Sequence, residues 1–158
     1  MSHHPPSALI FDLDGTLLNT LQDLADATNA VLQAKGFPTH PLQPFRYFVG
    51  DGARELIRRA LPEKARSNEP VVRDCLSAMR DEYSRRWHNK TTLYEGIAPL
   101  LDALSRRGLP MAILSNKAQA FVEQTVGHYL APWSLHPVLG EREGVPRKPA
   151  PQASLEIA

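Results

Sequence analysis

The sequence predicts an α/β protein whose sheet is flanked by helices and interrupted by a long helical insertion. Two short apolar runs, at 8–11 and 111–114, end in polar residues and are typical of buried strands. Helical patterns follow both runs, and this alternation indicates βαβ units in a Rossmann-like parallel sheet. Residues 20–89 carry only helical patterns. The predicted core is therefore 1–19 with 90–158, and 20–89 form a separate small all-α domain.

Capping residues and glycines delimit the helices of the insertion. Thr20 and Asp23 approximate a capping box at the start of the first helix, which ends at Gly36. Two short helices are predicted next, at Leu42–Phe48 and 53–61, the second ended by a proline.

A longer helix is predicted at about 70–88, because Pro70 suits a first turn and apolar residues recur at helical spacing. Cys75 falls within this apolar stripe, so we expect it to be buried as a small hydrophobe. The predicted buried face is Val72, Leu76, Met79, Tyr83 and Trp87. The remaining predicted elements are a helix at 97–107, a strand at 111–114, a helix at 118–130, a weaker strand at 133–139 that Pro137 interrupts, and a helix that begins at 152.

Two aspartates follow the first predicted strand, one residue apart. Residues i and i+2 of an extended chain point to the same side, so Asp12 and Asp14 are expected to share one space. Carboxylates this close repel unless a cation lies between them or one is protonated. Such oxygen ligands suit Mg²⁺, which takes one or two carboxylates together with substrate phosphate. The alternative is a plain strand-end turn, since Asp and Gly15 are common turn residues.

More polar residues follow the second predicted strand, and parallel sheets bind ligands at the carboxyl ends of their strands. One aspartate could attack phosphorus while the other transfers protons. Ser115, Asn116 and Thr16 could donate hydrogen bonds to phosphoryl oxygens, and Lys148 could supply a fixed positive charge. Each residue taken singly also has a plain structural alternative. Ser115 could be a strand-end cap, and Lys148 could be an ordinary loop lysine.

Composition limits the function classes. The 18 basic and 17 acidic residues leave a formal charge of +1, which argues against an electrostatic nucleic-acid binder. No apolar run reaches the length of a bilayer span, and the N-terminus lacks the features of a secretory signal. We therefore expect a cytoplasmic protein with no nucleic-acid or membrane partner. His3 and His4 are expected to lie in a solvated tail.

Three segments, in this order, resemble the motifs of the haloacid dehalogenase-like hydrolases. Residues 11–17 (Phe-Asp-Leu-Asp-Gly-Thr-Leu) are similar to the first motif, 114–117 (Leu-Ser-Asn-Lys) to the second, and 147–151 (Arg-Lys-Pro-Ala-Pro) to the third. Residues 49–61 and 94–96 resemble the phosphoglycolate phosphatase branch of that family. The resemblance covers essentially the whole chain.

The resemblance implies a Mg²⁺-dependent phosphatase in which Asp12 is the nucleophile and Asp14 the general acid and base. Mg²⁺ would be held by the Asp12 carboxylate and the Asp14 main-chain carbonyl, and Lys148 would steady the nucleophile. The implied phosphate ligands are Thr16, Ser115 and Asn116. The resemblance also implies that 20–89 form the family's cap domain, which selects a small phosphorylated metabolite, with phosphoglycolate as the leading candidate.

Within the cap, Gly50, Gly52 and Arg54 are candidates for the loop that meets the substrate. The alternative is a helix-start turn followed by a surface arginine, because Gly-x-Gly alone is a weak signal. Two other functions also stay open for the chain. One is a sugar-phosphate mutase of the same family, and the other is an inactive phosphate- or metal-binding fragment.

The family's fourth motif, a Gly-Asp with a further acid that completes the Mg²⁺ site, has no counterpart after Lys148. We therefore expect a chain truncated before that motif, with further acidic ligands beyond Ala158 and with impaired metal binding and activity. The missing strand would leave the strand before Asp12 at the edge of the sheet, which predicts poor stability or self-association. A monodisperse chain with one cooperative unfolding transition would contradict that expectation.

Overall fold

The computed structural model of the protein describes residues 6–158, so His3 and His4 lie outside the described residues. In chain order the elements are β1 (Leu9–Phe11), β2 (Leu18–Asn19), α1 (Leu21–Ala34), α2 (Leu42–Phe48), α3 (Ala53–Ala60), α4 (Glu63–Arg66), α5 (Glu69–Arg86), β3 (Thr92–Leu93), α6 (Ile97–Arg106), β4 (Met111–Ala118), α7 (Gln119–Tyr129), β5 (Val138–Glu141) and α8 (Gln152–Ile157). None of the described helices combines the length and the apolar character that a bilayer span requires.

The elements form two compact units. One unit contains the described residues up to Leu18 together with Leu93–Ala158, and the other is Asn19–Thr92. The chain passes from one unit to the other at β2 and returns at β3, and these two short strands pair with each other. The division drawn from the sequence fell after residues 19 and 89.

The first unit is built on a three-stranded sheet in the order β1-β4-β5. Both strand pairs are parallel, with Leu9 opposite Met111 and Ile113 opposite Val138. Helices separate consecutive strands of this sheet along the chain, which is the connection that parallel pairing requires. The predicted α/β fold with a parallel sheet and flanking helices is confirmed.

The burial predicted for the first strand was wrong. Leu9 and Phe11 are half-buried and Ile10 is 43% exposed, whereas β4 is buried from Met111 to Lys117. The reason is the number of neighbours, because β4 has a strand on both sides and β1 pairs with β4 alone among the described residues. Among the described residues, β1 thus lies at the edge of the sheet, as expected from the sequence.

The core of the sheet unit contains the three leucines that follow β1. Leu13, Leu17 and Leu18 are fully buried. They pack with the inner side of α6, with Met111 and Ile113 of β4, and with Val122 and Leu130 of the α7 region. The segment that carries the two aspartates is therefore anchored by its apolar residues, while Asp12 is exposed.

Two strand boundaries differ from the prediction. β4 continues to Ala118 rather than ending at residue 114, because its last residue pairs again with Glu141. β5 begins at Val138, directly after Pro137, which has no N–H for a sheet hydrogen bond. The short elements α4, β2 and β3 were not predicted, since two to four residues carry no periodic signal.

The helical unit pairs its two longest helices, α1 and α5. All five residues predicted for the inner face of α5 are buried, and Cys75 is fully buried beside them. Burial raises the pKa of the Cys75 thiol, as expected for a cysteine that acts as a small hydrophobe. The Asn68 carboxamide caps α5 by accepting a hydrogen bond from the Val71 N–H at 3.4 Å.

The capping box predicted at Thr20 does not form, because the Thr20 side chain makes no capping hydrogen bond and Asp23 bonds elsewhere. The buried Asp23 carboxylate accepts both main-chain N–H groups of Lys90 and Thr91 at 2.9–3.0 Å and the Thr91 hydroxyl at 2.7 Å. One charged group thereby satisfies three donors just before β3. Asp23 thus fixes the chain where it leaves the helical unit.

Replacing Asp23 by alanine is expected to lower the free energy of unfolding by about 3 kcal/mol, because three donors lose their buried partner. The matched control is Asp26→Ala on the same helix. Asp26 forms an exposed ion pair with the Lys90 ammonium, so its loss should cost less than about 1 kcal/mol. Urea unfolding of both variants measures the difference, and equal losses would show that Asp23 is not a special anchor.

Candidate active site

A tight turn follows the carboxyl end of β1, with Asp12 directly before it and Asp14 within it. Gly15 has a φ of 80°, a conformation that side chains with a Cβ rarely adopt. Its N–H donates to the Leu18 carbonyl at 2.9 Å, and Asp14 and Leu18 form an isolated bridge. The Leu13 carbonyl accepts the Leu17 and Leu18 N–H groups, both at 3.1 Å. The turn therefore gives the main chain around both aspartates a defined conformation.

The second group of predicted residues lies on an irregular part of β4. The register with β5 shifts between Leu114 and Ala118, whose partners are Leu139 and Glu141. Ser115, Asn116 and Lys117 thus face the single residue Gly140. Extra residues of this kind bend a strand and turn its side chains away from regular alternation. The bend occurs at the carboxyl end of the sheet, where ligands bind in parallel sheets.

Gly140 and Gln119 stabilise this irregular segment. A Cβ on Gly140 would lie 2.7 Å from the Lys117 carbonyl oxygen and 2.7 Å from the Gln119 Cα. The Gln119 carboxamide accepts the Gly140 N–H and donates to the Val138 carbonyl at 3.0 Å. A side chain thus replaces the strand-to-strand hydrogen bonds that the irregularity removes. The position of residues 115–117 depends on close backbone packing at Gly140.

Gly140→Ala is therefore expected to destabilise the protein by about 1–3 kcal/mol, since main-chain atoms must move to admit the methyl group. Gly127→Ala is the matched control, because a Cβ there meets nothing within 4 Å and the residue lies in α7. That substitution should be neutral or stabilise the protein by about 0.5–1 kcal/mol. Thermal unfolding compares the two, and a stable Gly140→Ala protein would contradict the packing argument.

Lys148, which was predicted to supply a fixed positive charge, lies beside Asp12. Its Nζ is 2.9 Å from Asp12 Oδ1 and donates to the Leu114 carbonyl at 2.7 Å. Asp12 Oδ1 also accepts the Leu13 N–H at 2.8 Å, whereas Oδ2 accepts no hydrogen bond from the described residues. The Asp12 side chain is 45% exposed. One oxygen is thus fixed by two donors, and the other is open to a ligand.

Asn116 positions Lys148 through its main chain. The Asn116 Oδ1 accepts the Lys148 N–H at 2.9 Å, and the Nδ2 donates to the Lys148 carbonyl at 3.2 Å. This paired contact joins β4 to the loop before α8 across 32 positions of sequence. The structure shows Asn116 in contact with the Lys148 main chain. Its predicted role as a phosphate ligand stays a prediction.

The sequence reasoning missed a second lysine, Lys117. Its Nζ lies 2.9 Å from Asp14 Oδ1, and the two side chains are only 7% and 14% exposed. The signal was present in the segment 114–117, but a lysine after a strand is usually solvated. Each of the two aspartates is therefore paired with its own lysine.

The other predicted phosphate ligands differ in exposure. Thr16 is exposed beside the Gly15 turn, and its hydroxyl makes no hydrogen bond to the described residues. Ser115 is buried, and its Oγ accepts the Lys117 N–H at 3.2 Å. Both roles remain predictions.

The three predicted cap residues belong to the helical unit. Gly50 and Gly52 have φ values of 129° and 86°, and Gly52 is the N-cap of α3. The Arg54 guanidinium forms an ion pair with Glu69, which also bonds to Arg58 at 2.7 Å. The hydrogen bond from Arg58, together with the charge of Arg54, lowers the pKa of Glu69. The substrate role of these residues stays a prediction, and Arg54 shares the Glu69 carboxylate with Arg58.

The donor chemistry of the site suits Mg²⁺. The Asp12 carboxylate is 45% exposed, and carboxylate oxygens are the ligands that Mg²⁺ prefers. No cluster of three or more His, Cys, Asp or Glu side chains that could hold a metal occurs among residues 6–158. The fit is thus to an ion held by one or two carboxylates, with water and phosphate completing its shell.

The comparison with known proteins places the chain in one family. The family model of the haloacid dehalogenase-like hydrolases matches residues 9–157. The chain therefore belongs to the haloacid dehalogenase-like hydrolase family.

Within that family, the chain is similar to phosphoglycolate phosphatases. The protein of that name from Pseudomonas putida is 32% identical over an alignment of 160 positions, gaps included, which covers 96% of this chain and 57% of the relative. The one from Vibrio parahaemolyticus is 33% identical over 97% of this chain and 69% of its own length. A crystal structure of a candidate phosphoglycolate phosphatase from Lactobacillus delbrueckii matches with a TM-score of 0.86 and 28% identity, over 96% of this chain and 71% of that one. The chain thus spans 57% of the length of the Pseudomonas relative.

Proposed function

We propose that the protein is a Mg²⁺-dependent phosphatase of small phosphorylated metabolites, with phosphoglycolate as the leading substrate. Family membership and the curated relatives named phosphoglycolate phosphatases support the reaction class and the substrate. The observation that carries the proposal is Asp12, whose Oδ1 is held by Lys148 while its Oδ2 is open at the end of a strand. We also propose a cytoplasmic location, and self-association at the β1 edge stays a prediction.

In the first step, Asp12 Oδ2 attacks the phosphorus atom and the bond to the ester oxygen breaks. Asp14 gives its carboxyl proton to that oxygen, so that the product leaves as a neutral alcohol. The phosphoryl group is then attached to Asp12 as an acyl phosphate. The Lys148 ammonium balances the negative charge on Asp12 and on the phosphoryl oxygens.

In the second step, the Asp14 carboxylate takes a proton from water, and the resulting hydroxide oxygen bonds to phosphorus. The bond between phosphorus and Asp12 breaks, inorganic phosphate leaves, and both aspartates return to their starting states. Thr16, Ser115 and Asn116 are proposed to donate hydrogen bonds to the transferring oxygens. Mg²⁺, when bound at the Asp12 carboxylate and the Asp14 carbonyl, would supply further positive charge for those oxygens.

The direct test measures phosphate release by the purified chain from a panel of phosphate esters with and without Mg²⁺. We expect release from phosphoglycolate that requires Mg²⁺, and glycolate as the second product. Return of the phosphoryl group to a bisphosphorylated sugar would instead identify a mutase. Gly50, Gly52 and Arg54 are proposed to select the substrate, so their replacement should change KM between esters more than kcat.

A binding module is the second candidate, because the described residues contain no third acid near Asp12 and Asp14. A chain of that kind would bind phosphate at the strand ends without turning over an ester. Isothermal titration with Mg²⁺ and with inorganic phosphate, run beside the turnover assay, distinguishes the two. Binding of both without any phosphate release would favour the module.

A further inference from the structure

The two lysines of the site differ in how closely they hold their aspartates. Lys148 and Asp12 are 26% and 45% exposed, whereas Lys117 and Asp14 are 7% and 14% exposed, at the same separation of 2.9 Å. A buried pair of charges has little water to replace a lost partner, so its geometry is strongly maintained. The Lys117 pair is therefore the more rigid of the two.

Lys117 extends from a firmly held stretch of main chain. Its N–H donates to Ser115 Oγ at 3.2 Å, and its carbonyl oxygen would lie only 2.7 Å from a Cβ on Gly140. A long, flexible lysine side chain usually loses much rotamer freedom when it is ordered. Here the fixed main chain and the buried ion pair with Asp14 offset the entropy that the ordered lysine side chain loses. The ammonium group is thus presented to Asp14 from a defined position.

Asp14 depends on this lysine for its orientation. Its carboxylate accepts one hydrogen bond from the described residues, at Oδ1, and that bond comes from Lys117. The Asp14 main chain is fixed by the Gly15 turn, but nothing else described holds the carboxylate plane. With Oδ1 engaged by the ammonium, Oδ2 is the Asp14 oxygen without a hydrogen-bond partner among the described residues.

We propose that Lys117 is a positioning residue for Asp14, an inference that rests on the proposed phosphatase function. Lys117 holds Oδ1, and Oδ2 delivers the proton to the leaving ester oxygen as the bond from phosphorus to that oxygen breaks. After the transfer, Asp14 is a carboxylate that stays paired with Lys117, and Oδ2 takes the proton of the attacking water in the second step. Lys117 itself neither gives nor receives a proton.

The rate of the first step with two esters tests this role. An alkyl phosphate needs a proton on its leaving oxygen, whereas p-nitrophenyl phosphate leaves as a stable anion. For Lys117→Met, rapid-quench measurement of the first turnover should show a fall of about 10²-fold with the alkyl ester and only a few-fold with the aryl ester. KM should change little, and Lys117→Arg should recover part of the lost rate. An equal fall with both esters, or a change in KM alone, would overturn the inference.

A second readout does not depend on turnover. The ammonium of a buried, hydrogen-bonded lysine exchanges slowly enough to be observed by ¹H–¹⁵N NMR, so Lys117 should give such a signal. Asp14→Asn should shift or remove it, while Asp12→Asn, the matched control, should leave it in place. A Lys117 signal that is absent in the wild-type chain, or unaffected by Asp14→Asn, would show that the pair does not form.

The two readouts separate the failure of this inference from that of the proposed function. If the wild-type chain hydrolyses neither ester, the phosphatase and the proton transfer at Asp14 are both wrong, whatever the NMR signal shows. If it hydrolyses both and Lys117→Met slows them equally, the phosphatase stands and the positioning role is wrong. A folding defect in Lys117→Met would appear in its thermal unfolding, and Lys117→Arg then carries the comparison.

Discussion

The Asp12→Asn chain is expected to release no phosphate above background from any ester that the wild-type chain hydrolyses. The carboxamide cannot form the acyl phosphate, and loss of a nucleophile commonly lowers kcat by about 10⁴-fold or more. The substitution keeps the shape of the side chain, and its oxygen can still accept from Lys148 and the Leu13 N–H. Phosphate release at saturating substrate and Mg²⁺ measures the effect.

Asp102→Asn is the control for this experiment. Asp102 lies on α6 of the same unit and accepts a hydrogen bond from the Trp133 indole at 2.8 Å, which an asparagine oxygen can also accept. The same chemical change should leave phosphate release within about two-fold of the wild-type rate. Turnover by Asp12→Asn at a rate near that of Asp102→Asn would eliminate Asp12 as the nucleophile.

The second large effect is expected for Lys148→Met, which removes the charge but keeps most of the apolar stem. The ammonium contacts Asp12 Oδ1 and the Leu114 carbonyl, so its loss removes the cation nearest the reacting oxygen. Loss of one such electrostatic contact lowers kcat by about 10²–10³-fold. Steady-state kinetics of the variant with phosphoglycolate measures this effect.

The control is Arg147→Met, which removes a positive charge one residue away. Arg147 pairs with Glu141 at 3.2 Å. Its kcat should stay close to that of the wild-type chain. If Lys148→Met and Arg147→Met lose activity equally, the effect comes from overall charge and not from the contact with Asp12.

Long periodic elements could be predicted from the sequence because their burial follows from spacing alone. The buried face of α5 agrees at every predicted position. The number of neighbours of a strand does not follow from its own apolar residues, and therefore a buried strand was predicted where Ile10 is exposed. The end of β4 was missed for a related reason. Residues 115–117 are polar like a loop, yet they lie within a strand that is bent at its contact with Gly140.

The candidate site could be predicted where reactive side chains come directly after a strand in the sequence. Asp12 and Asp14 come directly after β1. Lys148 was predicted to supply a positive charge to this site, and its ammonium contacts Asp12. The partner of Asp14 was not predicted, because Lys117 is 103 positions away and only strand pairing brings them together. The contact of Asn116 with the Lys148 main chain likewise depends on the tertiary fold.

Trapping of a covalent phosphoryl group tests the central claim, that Asp12 is the nucleophile, most directly. The wild-type chain is mixed with phosphoglycolate and Mg²⁺, quenched in acid during turnover, digested and analysed by mass spectrometry. We expect one phosphoryl group on the peptide that contains Asp12, removable by hydroxylamine and absent from Asp12→Asn. Turnover without any phosphorylated peptide, or with the phosphoryl group on another residue, would contradict the assignment.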